Sequence, residues 1–200
     1  MDLSPEELEE IEGDVGVMLR MAGLDDDEPP ALERVCSRLT GAEPQLAAMR
    51  GEGRVRMLAG GIRRIEMKLG VLGTPRGRVV LGHECGHVYA AKVLRREVTE
   101  AWCDAFGVML AAPRRATSLA IKEVGHSPSM LAELLEIERE AALLRIGEVT
   151  GRPVVLERRP RVLLARGEGF HWPPIAIALA NRPPGLHPVR VGARWGLMAA

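Results

Sequence analysis

Two histidines four residues apart, with a glutamate directly after the first, form the most chemically suggestive pattern in the sequence. The pattern reads His83-Glu84-Cys85-Gly86-His87. Residues four apart lie on one face of a helix, so both imidazoles could reach one zinc ion at about 2.0–2.1 Å. Glu84 lies beside that face, where its carboxylate could take a proton from a zinc-bound water, whose pKa the metal lowers toward about 7. The spacing therefore predicts a site for metal-assisted peptide hydrolysis.

A catalytic zinc ion needs a third protein ligand and one open position. The metzincin class takes a further glycine and histidine after the motif, but Ala90 and Val93 occupy those places, which excludes that class. Glu100 and Asp104 lie one turn apart on the next predicted helix. Glu100 could bind the metal, and Asp104 could accept the outer N–H of a histidine ligand and so fix its tautomer. Without the histidine pair, both acids would be interpreted as ordinary charges on a helix surface.

The cysteines and glycines of these two predicted helices have simpler interpretations. The chain has three cysteines, an odd number that favours reduced thiols over a disulfide framework. Cys85 leaves the histidine face, and Cys103 is one position away from the acidic pair, so we expect both to be small buried residues rather than ligands. Gly86 and Gly107 would let the two helices approach closely.

Hydrolysis of a peptide bond also needs a hydrogen-bond donor near the metal, because negative charge develops on the carbonyl oxygen. Tyr89 and His126 are the first candidates for this role, and the remaining histidines, His171 and His187, are further ones. No spacing selects among them. Tyr89 lies off the ligand face and is equally interpreted as a core residue, and His126 as a loop residue before a helix.

The pattern of apolar residues predicts an α+β fold with a mainly helical core and a small sheet on its N-terminal side. A capping box at Ser4-Pro5-Glu6-Glu7 begins the first helix, and alternating residues around Gly60-Gly61 indicate a β-hairpin. Predicted helices cover 5–22, 32–41, 76–94, 98–111, 114–124, 128–137 and 140–149, and predicted strands cover 54–58, 62–67, 153–157 and 161–165. We divide the chain into a domain over 1–124 that carries the motif, a helical segment over 125–151, and a small β or irregular region over 152–200.

Composition narrows the class of protein without naming a partner. The 200 residues are 46% hydrophobic, which suits one compact domain or a domain with a small appendage. Lysine plus arginine (27) equals aspartate plus glutamate (27), so binding to nucleic acid or anionic lipid would need a local basic patch. The N-terminus lacks the pattern of a secretory signal, and no apolar run approaches the roughly 20 residues that cross a bilayer. We therefore expect a cytoplasmic protein without membrane contact.

Three segments around the motif also carry a family resemblance. They read Arg78-Val79-Val80-Leu81-Gly82-His83-Glu84-Cys85-Gly86-His87, Glu100-Ala101-Trp102-Cys103-Asp104-Ala105-Phe106-Gly107, and Met109-Leu110-Ala111-Ala112-Pro113-Arg114. Together they resemble the ImmA/IrrE family of metallo-endopeptidases, which joins an H-E-x-G-H helix to a downstream glutamate followed by Ala-Asn or Ala-Asp. Cys103 and Gly107 stand where that family usually has alanine. The resemblance covers about 32–113 well and 131–151 loosely.

The resemblance implies a specific fold and function. It implies a zincin-like metallopeptidase core in which Glu100 is the third zinc ligand, with manganese as the alternative metal. Family members characteristically cut a helix-turn-helix repressor, so a protein substrate of that kind is expected here. The sequence does not predict the oligomeric state.

Two other classes of function compete with the peptidase. A DNA-binding regulator is one, because 131–137 and 141–149 could form a helix-turn-helix. That segment contains five glutamates near only Arg139 and Arg145, so we do not expect it to bind nucleic acid directly. The other is a metal-binding transcription-regulatory, toxin–antitoxin or phage-associated interaction protein without turnover. Glu84 argues for catalysis, because a structural metal site needs no base.

Overall fold

The protein has the α+β fold that its sequence predicts. The computed structural model describes residues 3–151, 154–158, 161–166, 186–191 and 194–199. The helices are α1 (Pro5–Ala22), α2 (Leu32–Thr40), α3 (Pro75–Tyr89), α4 (Glu100–Ala111), α5 (Arg114–Val124), α6 (Pro128–Leu134) and α7 (Arg139–Thr150). The strands are β1 (Gln45–Ala47), β2 (Gly53–Met57), β3 (Arg63–Lys68), β4 (Val154–Arg158), β5 (Arg161–Arg166), β6 (Leu186–Val191) and β7 (Arg194–Ala199). None of the helices described is both long and apolar enough to span a bilayer.

The chain divides into two compact units. The first comprises Met1–Ala116 with Leu135–Glu138, and the second comprises Thr117–Leu134 with Arg139–Ala200. The first unit contains both predicted motif helices. The three-part division into 1–124, 125–151 and 152–200 stays a prediction.

Local signals in the sequence explain where α1 begins and ends. The Ser4 hydroxyl accepts a hydrogen bond from the Glu7 backbone N–H at 3.2 Å, and the Glu7 carboxylate accepts one from the Ser4 N–H at 2.7 Å. This capping box satisfies N–H groups that have no partner inside the helix. Gly23 ends the helix in the left-handed conformation at φ 64°. The predicted range 5–22 is confirmed.

The two motif helices begin at threonine caps. The Thr74 hydroxyl accepts from the Gly77 N–H at 3.0 Å, and the Thr99 hydroxyl accepts from the Trp102 N–H at 3.2 Å. The sequence predicted that the second motif helix, α4, begins at 98. The helix begins two residues later, at Glu100, because Thr99 is its cap. The end of α3 also differs from an ordinary helix, since Ala90–Leu94 form a π-helical turn. Arg95 then reverses the chain in the left-handed conformation, at φ 54°.

A three-stranded sheet packs against α3. Its order is β1-β3-β2, with β2 antiparallel to β3 and β1 parallel to β3. The predicted hairpin is confirmed, whereas the three-residue strand β1 was not predicted. Ile65 and Met67 are fully buried on one face of β3, and contacts from β2 and β3 reach α3. The sheet thus lies beside the helix that carries the two histidines.

The second unit contains α6, α7 and a four-stranded antiparallel sheet of order β5-β4-β7-β6. The strand pair predicted over 153–157 and 161–165 is confirmed as β4 and β5, while β6 and β7 were left unassigned by the sequence. The helix predicted over 128–137 ends at Leu134 instead. Glu136, shortly beyond it, has a left-handed φ of 53°, which a continuing helix could not accommodate.

Candidate metal centre

Three potential metal ligands from two helices meet at one point. On α3, the Nε2 atoms of His83 and His87 lie 3.1 Å apart. On α4, Glu100 places its Oε2 atom 3.4 Å from His83 Nε2 and its Oε1 atom 3.6 Å from His87 Nε2. One ligand atom from each residue lies within 4.8 Å of the others. These three residues form a group that could hold a metal ion.

The distances within this group are short enough for one small metal ion. With metal–ligand bonds of about 2.0–2.1 Å, tetrahedral geometry separates the ligand atoms by about 3.3 Å. The two Nε2 atoms, 3.1 Å apart, lie close to that value, and each has one Glu100 oxygen at a similar distance: Oε2 at 3.4 Å for His83 and Oε1 at 3.6 Å for His87. Two imidazoles and one carboxylate are also a donor set found in zinc peptidases. The Glu100 side chain is 78% exposed, so one side of the group faces solvent.

Two glycines allow α3 and α4 to approach closely enough to form this group. A Cβ atom added to Gly107 would lie 2.5 Å from the backbone nitrogen of His83 and 2.8 Å from the carbonyl oxygen of Val79. A Cβ atom on Gly82 would lie 2.7 Å from the Gly107 carbonyl oxygen. A Cβ atom on Gly86, in contrast, would meet the Phe106 ring at 3.2 Å and the backbone of α4 no closer than 3.5 Å, at Cys103 Cα. Gly82 and Gly107 therefore make the backbone contact, and Gly82 was missed from the sequence.

Asp104 orients the first histidine. Its Oδ1 atom lies 2.8 Å from His83 Nδ1. This hydrogen bond raises the pKa of His83, although burial of the ring opposes the shift. When Nδ1 of His83 is protonated and donates this hydrogen bond to Asp104, Nε2 is unprotonated. Its lone pair is then free on the side of the ring that lies near Glu100 and His87.

Cys103 stands beside the second histidine, in a place that the sequence did not reveal. Its Sγ atom lies 3.4 Å from His87 Nδ1. The side chain is fully buried, and burial raises the pKa of the Cys103 thiol to about 12. Burial also lowers the pKa of His87, assisted by the nearby His83. Both histidines thus have a side-chain partner at Nδ1, and the only sequence signal was the position of Cys103 next to Asp104.

Glu84 lies in a buried position between α3 and β2. The residue is only 7% exposed, and burial is the main reason that its pKa is raised. A backbone hydrogen bond from Val55 opposes this shift. A Cβ atom on Gly53 would lie 2.9 Å from Glu84 Oε1 and 2.8 Å from Val80 Cγ1, so strand β2 fits here because its first residue is glycine. A carboxylate with a raised pKa is suited to proton transfer near neutral pH.

The candidate oxyanion donors are placed elsewhere or not described. The Tyr89 hydroxyl donates to Asp14 Oδ1 on α1 at 3.1 Å, and its ring stacks on Phe106, so the structure does not bring it to the metal group. His126 lies in the turn between α5 and α6, in the second unit. His171 lies outside the described residues, and the side chain of His187 on β6 does as well. Their proposed role stays a prediction.

The three cysteines are free thiols in the structure, and all are buried. Cys85 of α3 interacts electrostatically with Cys36 of α2. Neither belongs to the metal group.

Comparison with known proteins identifies the fold but not a family. No protein-family model and no curated protein matches the sequence. Among solved structures, the chain is similar to a "Mycobacterium tuberculosis transcriptional regulator" with a TM-score of 0.61 and 11% identity. The similarity covers 96% of this chain and 76% of the other. At that identity, the likeness shows a shared fold alone.

Proposed function

We propose that the protein is a zinc-dependent metallo-endopeptidase. The observation that carries the proposal is the meeting of His83, His87 and Glu100 beside the buried carboxylate of Glu84. Three ligands with an exposed side suit a catalytic ion, which keeps one position open, better than a closed structural ion with four protein ligands. The resemblance to the ImmA/IrrE family adds support. Zinc is the proposed metal, and manganese is the alternative.

In the proposed mechanism, the metal ligands, Glu84 and the partners of the two histidines have separate roles. When bound, the ion polarises the carbonyl of the substrate and lowers the pKa of a water molecule toward about 7. Glu84 accepts the proton of the attacking water and delivers it to the leaving amine. Asp104 holds the proton on Nδ1 of His83, and Cys103 lies where it can do the same for His87. These two contacts keep the metal-facing Nε2 atoms free of protons.

Strand β2 offers a place for an extended peptide. It is an edge strand, because the sheet order is β1-β3-β2. The Lys68 N–H donates to the Glu52 carbonyl, and the Leu58 N–H donates to the Ile62 carbonyl. Because hydrogen-bonded pairs recur at every second residue of an antiparallel pair, the backbone groups of Arg54 and Arg56 also point toward β3. The backbone groups of the alternate residues, Gly53, Val55 and Met57, therefore point away from β3. A substrate could add to this edge as a further strand and so bring a peptide bond to Glu84.

The resemblance also supports a helix-turn-helix repressor as the substrate. Three free cysteines suit the cytoplasm, which is the proposed compartment. Incubation of such a repressor with the zinc-loaded enzyme should produce two defined fragments. A repressor that stays intact while other peptides are cut would contradict this choice of substrate and leave the peptidase activity in place.

The activity itself is tested with peptides of mixed sequence. Full-length protein reconstituted with zinc is incubated with a peptide library, and new termini are identified by mass spectrometry. The wild type should cut, and Glu84→Gln should cut at least about 100-fold more slowly, because a general base contributes roughly 10²–10⁴ in rate. Glu97→Gln, which changes an exposed glutamate before α4, is the matched control and should cut at the wild-type rate. Equal cleavage by wild type and Glu84→Gln would refute the proposed mechanism.

A metal-binding regulatory protein without turnover is the second candidate. The observation that favours it is the name of one structural neighbour, a transcriptional regulator. The α6–α7 segment gives this candidate little help, because Arg145 is fully buried and pairs with Glu148 at 2.8 Å instead of facing a phosphate backbone. Zinc binding with no cleavage of any library peptide would favour this second candidate.

A further inference from the structure

The outer face of the first sheet is strongly basic. Residues two apart on a strand share a face, and in the register of β2 and β3 Arg54 lies opposite Glu66 while Arg56 lies opposite Arg64. Lys68 follows on the same face of β3. The other face carries the buried core residues of the strand. We call Arg54, Arg56, Arg64 and Lys68 the basic sheet face.

The one acid at the centre of this face is covered by its neighbours. Arg54 Nε lies 2.7 Å from Glu66 Oε2, and Arg56 Nη1 lies 3.4 Å from Glu66 Oε1. The Glu66 side chain is only 7% exposed, whereas those of Arg54 and Arg56 are 51% and 59% exposed. A ligand approaching from solvent therefore meets guanidinium groups and not the carboxylate.

The arrangement is not explained by stability. Like charges directly opposite each other on one face of an antiparallel pair are destabilising, and Arg56 and Arg64 have that relation. Arg64 donates to the neutral Gln45 side chain at 3.0 Å, so no second acid in the sheet offsets it there. At the far end of the face, Glu52 is bonded to Arg76 at 2.7 Å. The face keeps an excess of positive charge although the whole chain has none.

We propose that the basic sheet face docks an acidic segment of the protein substrate. This inference rests on the proposed function and names a feature of its substrate. Glu84 lies against the start of β2, because a Cβ atom on Gly53 would be 2.9 Å from its Oε1 atom, and Arg54 and Arg56 follow on that strand. A chain that reaches Glu84 along this strand therefore places neighbouring residues within reach of both arginines. Guanidinium groups bind carboxylates through paired hydrogen bonds, which suits aspartate and glutamate side chains.

A protein fits this face better than a nucleic acid does. Residues 45–68 contain no aromatic side chain on which a base could stack. Glu66 within the face and Glu52 at its end would also lie under a continuous phosphate backbone. Arginine is also enriched in protein interfaces, and the side chains of Arg54 and Arg56 are more than half exposed.

The test measures binding without turnover. A fluorescein-labelled octaglutamate peptide is titrated with full-length protein at low ionic strength, where screening is weak, and anisotropy is recorded. The probe should bind the wild type and bind Arg56→Ser/Arg64→Ser about tenfold more weakly, with affinity falling as salt rises. The matched control is Arg34→Ser/Arg38→Ser, which removes the same charge from exposed positions on α2 and should bind within twofold of wild type. An octaglutamine peptide should not bind.

Several results would overturn the proposal. Absence of binding to the wild type would do so, as would equal weakening by the two double variants, which would indicate a general effect of net charge. A single-stranded oligonucleotide that binds more tightly than octaglutamate, and loses affinity in Arg56→Ser/Arg64→Ser, would replace the protein segment with a nucleic acid. If light scattering shows that the wild type self-associates through the basic sheet face and for that reason does not bind octaglutamate, the proposal is also contradicted. None of these binding measurements requires cleavage. A protein that binds octaglutamate but cuts no peptide would therefore contradict the peptidase proposal and not the docking proposal.

Discussion

Replacing Gly107 by alanine tests the close contact that brings Glu100 to the two histidines. The added Cβ atom would lie 2.5 Å from the His83 nitrogen and 2.8 Å from the Val79 oxygen. Ordinary contacts of carbon atoms begin near about 3.5 Å, so the two helix backbones must separate by about 1 Å. Neither neighbour is a side chain that can rotate away. Both the stability of the first unit and the geometry of the metal group should therefore change.

The size of each effect follows from this displacement. Overpacking costs typically 1–3 kcal/mol, and replacing glycine by alanine within a helix returns about 1 kcal/mol, so the net loss lies between about 0 and 2 kcal/mol. Because both close atoms are backbone atoms, we expect the upper end, about 2 kcal/mol. Metal ligands tolerate displacements of only about 0.2 Å, which a shift of about 1 Å exceeds. Zinc affinity should consequently fall at least about tenfold.

Urea unfolding of the metal-free protein, followed by circular dichroism, measures the first effect, and competition with a chromophoric chelator measures the second. Gly86→Ala is the matched control on α3, because its new Cβ atom meets Phe106 Cδ1 at 3.2 Å, an atom of a side chain that can shift slightly. The control should stay within about 1 kcal/mol of wild type. If Gly107→Ala unfolds and binds zinc like Gly86→Ala, the account of this helix contact is wrong.

Three further predictions concern the surroundings of the metal group. Cys103→Ala should weaken zinc binding about tenfold in a chelator competition. Cys103→Ser should keep most of the affinity, because a hydroxyl can accept the hydrogen bond from His87 Nδ1. Equal losses in the two variants would contradict this prediction. Gly53→Ala should lower the rate of peptide hydrolysis about 100-fold, because the new Cβ atom displaces Glu84. Its zinc content should stay at the wild-type level, and a loss of zinc would contradict this prediction. In the metal-free protein, the hydrogen bond to Asp104 raises the folded-state pKa of His83. The contact therefore contributes stability that is fully present below the unfolded pKa of about 6.5 and is lost as pH rises through the raised folded-state pKa. Asp104→Asn should therefore be less stable than wild type in mild acid and equally stable in alkali, and a difference independent of pH would refute this.

The elements that follow local rules could be predicted from the sequence. Helix α1 has a capping box and a glycine stop, so both of its ends are visible in the chain. Strand β1 could not be found in this way, because three residues carry no periodicity and the strand exists through its parallel pairing with β3. The start of α4 was misjudged because Val98 continues an apolar pattern, while the hydroxyl of Thr99 decides where the helix begins.

In the candidate site too, some features follow from local sequence and others depend on tertiary contacts. His83 and His87 share a helix face, so their meeting follows from a spacing of four residues. The partners of Glu84 and His87 come from other elements, and Gly53, Val55 and Cys103 carry no pattern of their own. Such residues are found only when the tertiary contacts of the strand and of α4 are known.

Metal content tests the central claim most directly. Wild type, His83→Ala, Glu100→Ala and Glu84→Gln are purified in parallel, reconstituted with zinc or manganese, and examined by elemental analysis. The account predicts about one ion per chain in the wild type and in Glu84→Gln, and loss of the ion in His83→Ala and Glu100→Ala. The reason is that His83 and Glu100 are two of the three ligands, whereas Glu84 acts only as a base. A wild type that holds neither metal, or a Glu100→Ala protein that holds its ion as tightly as the wild type, would contradict it.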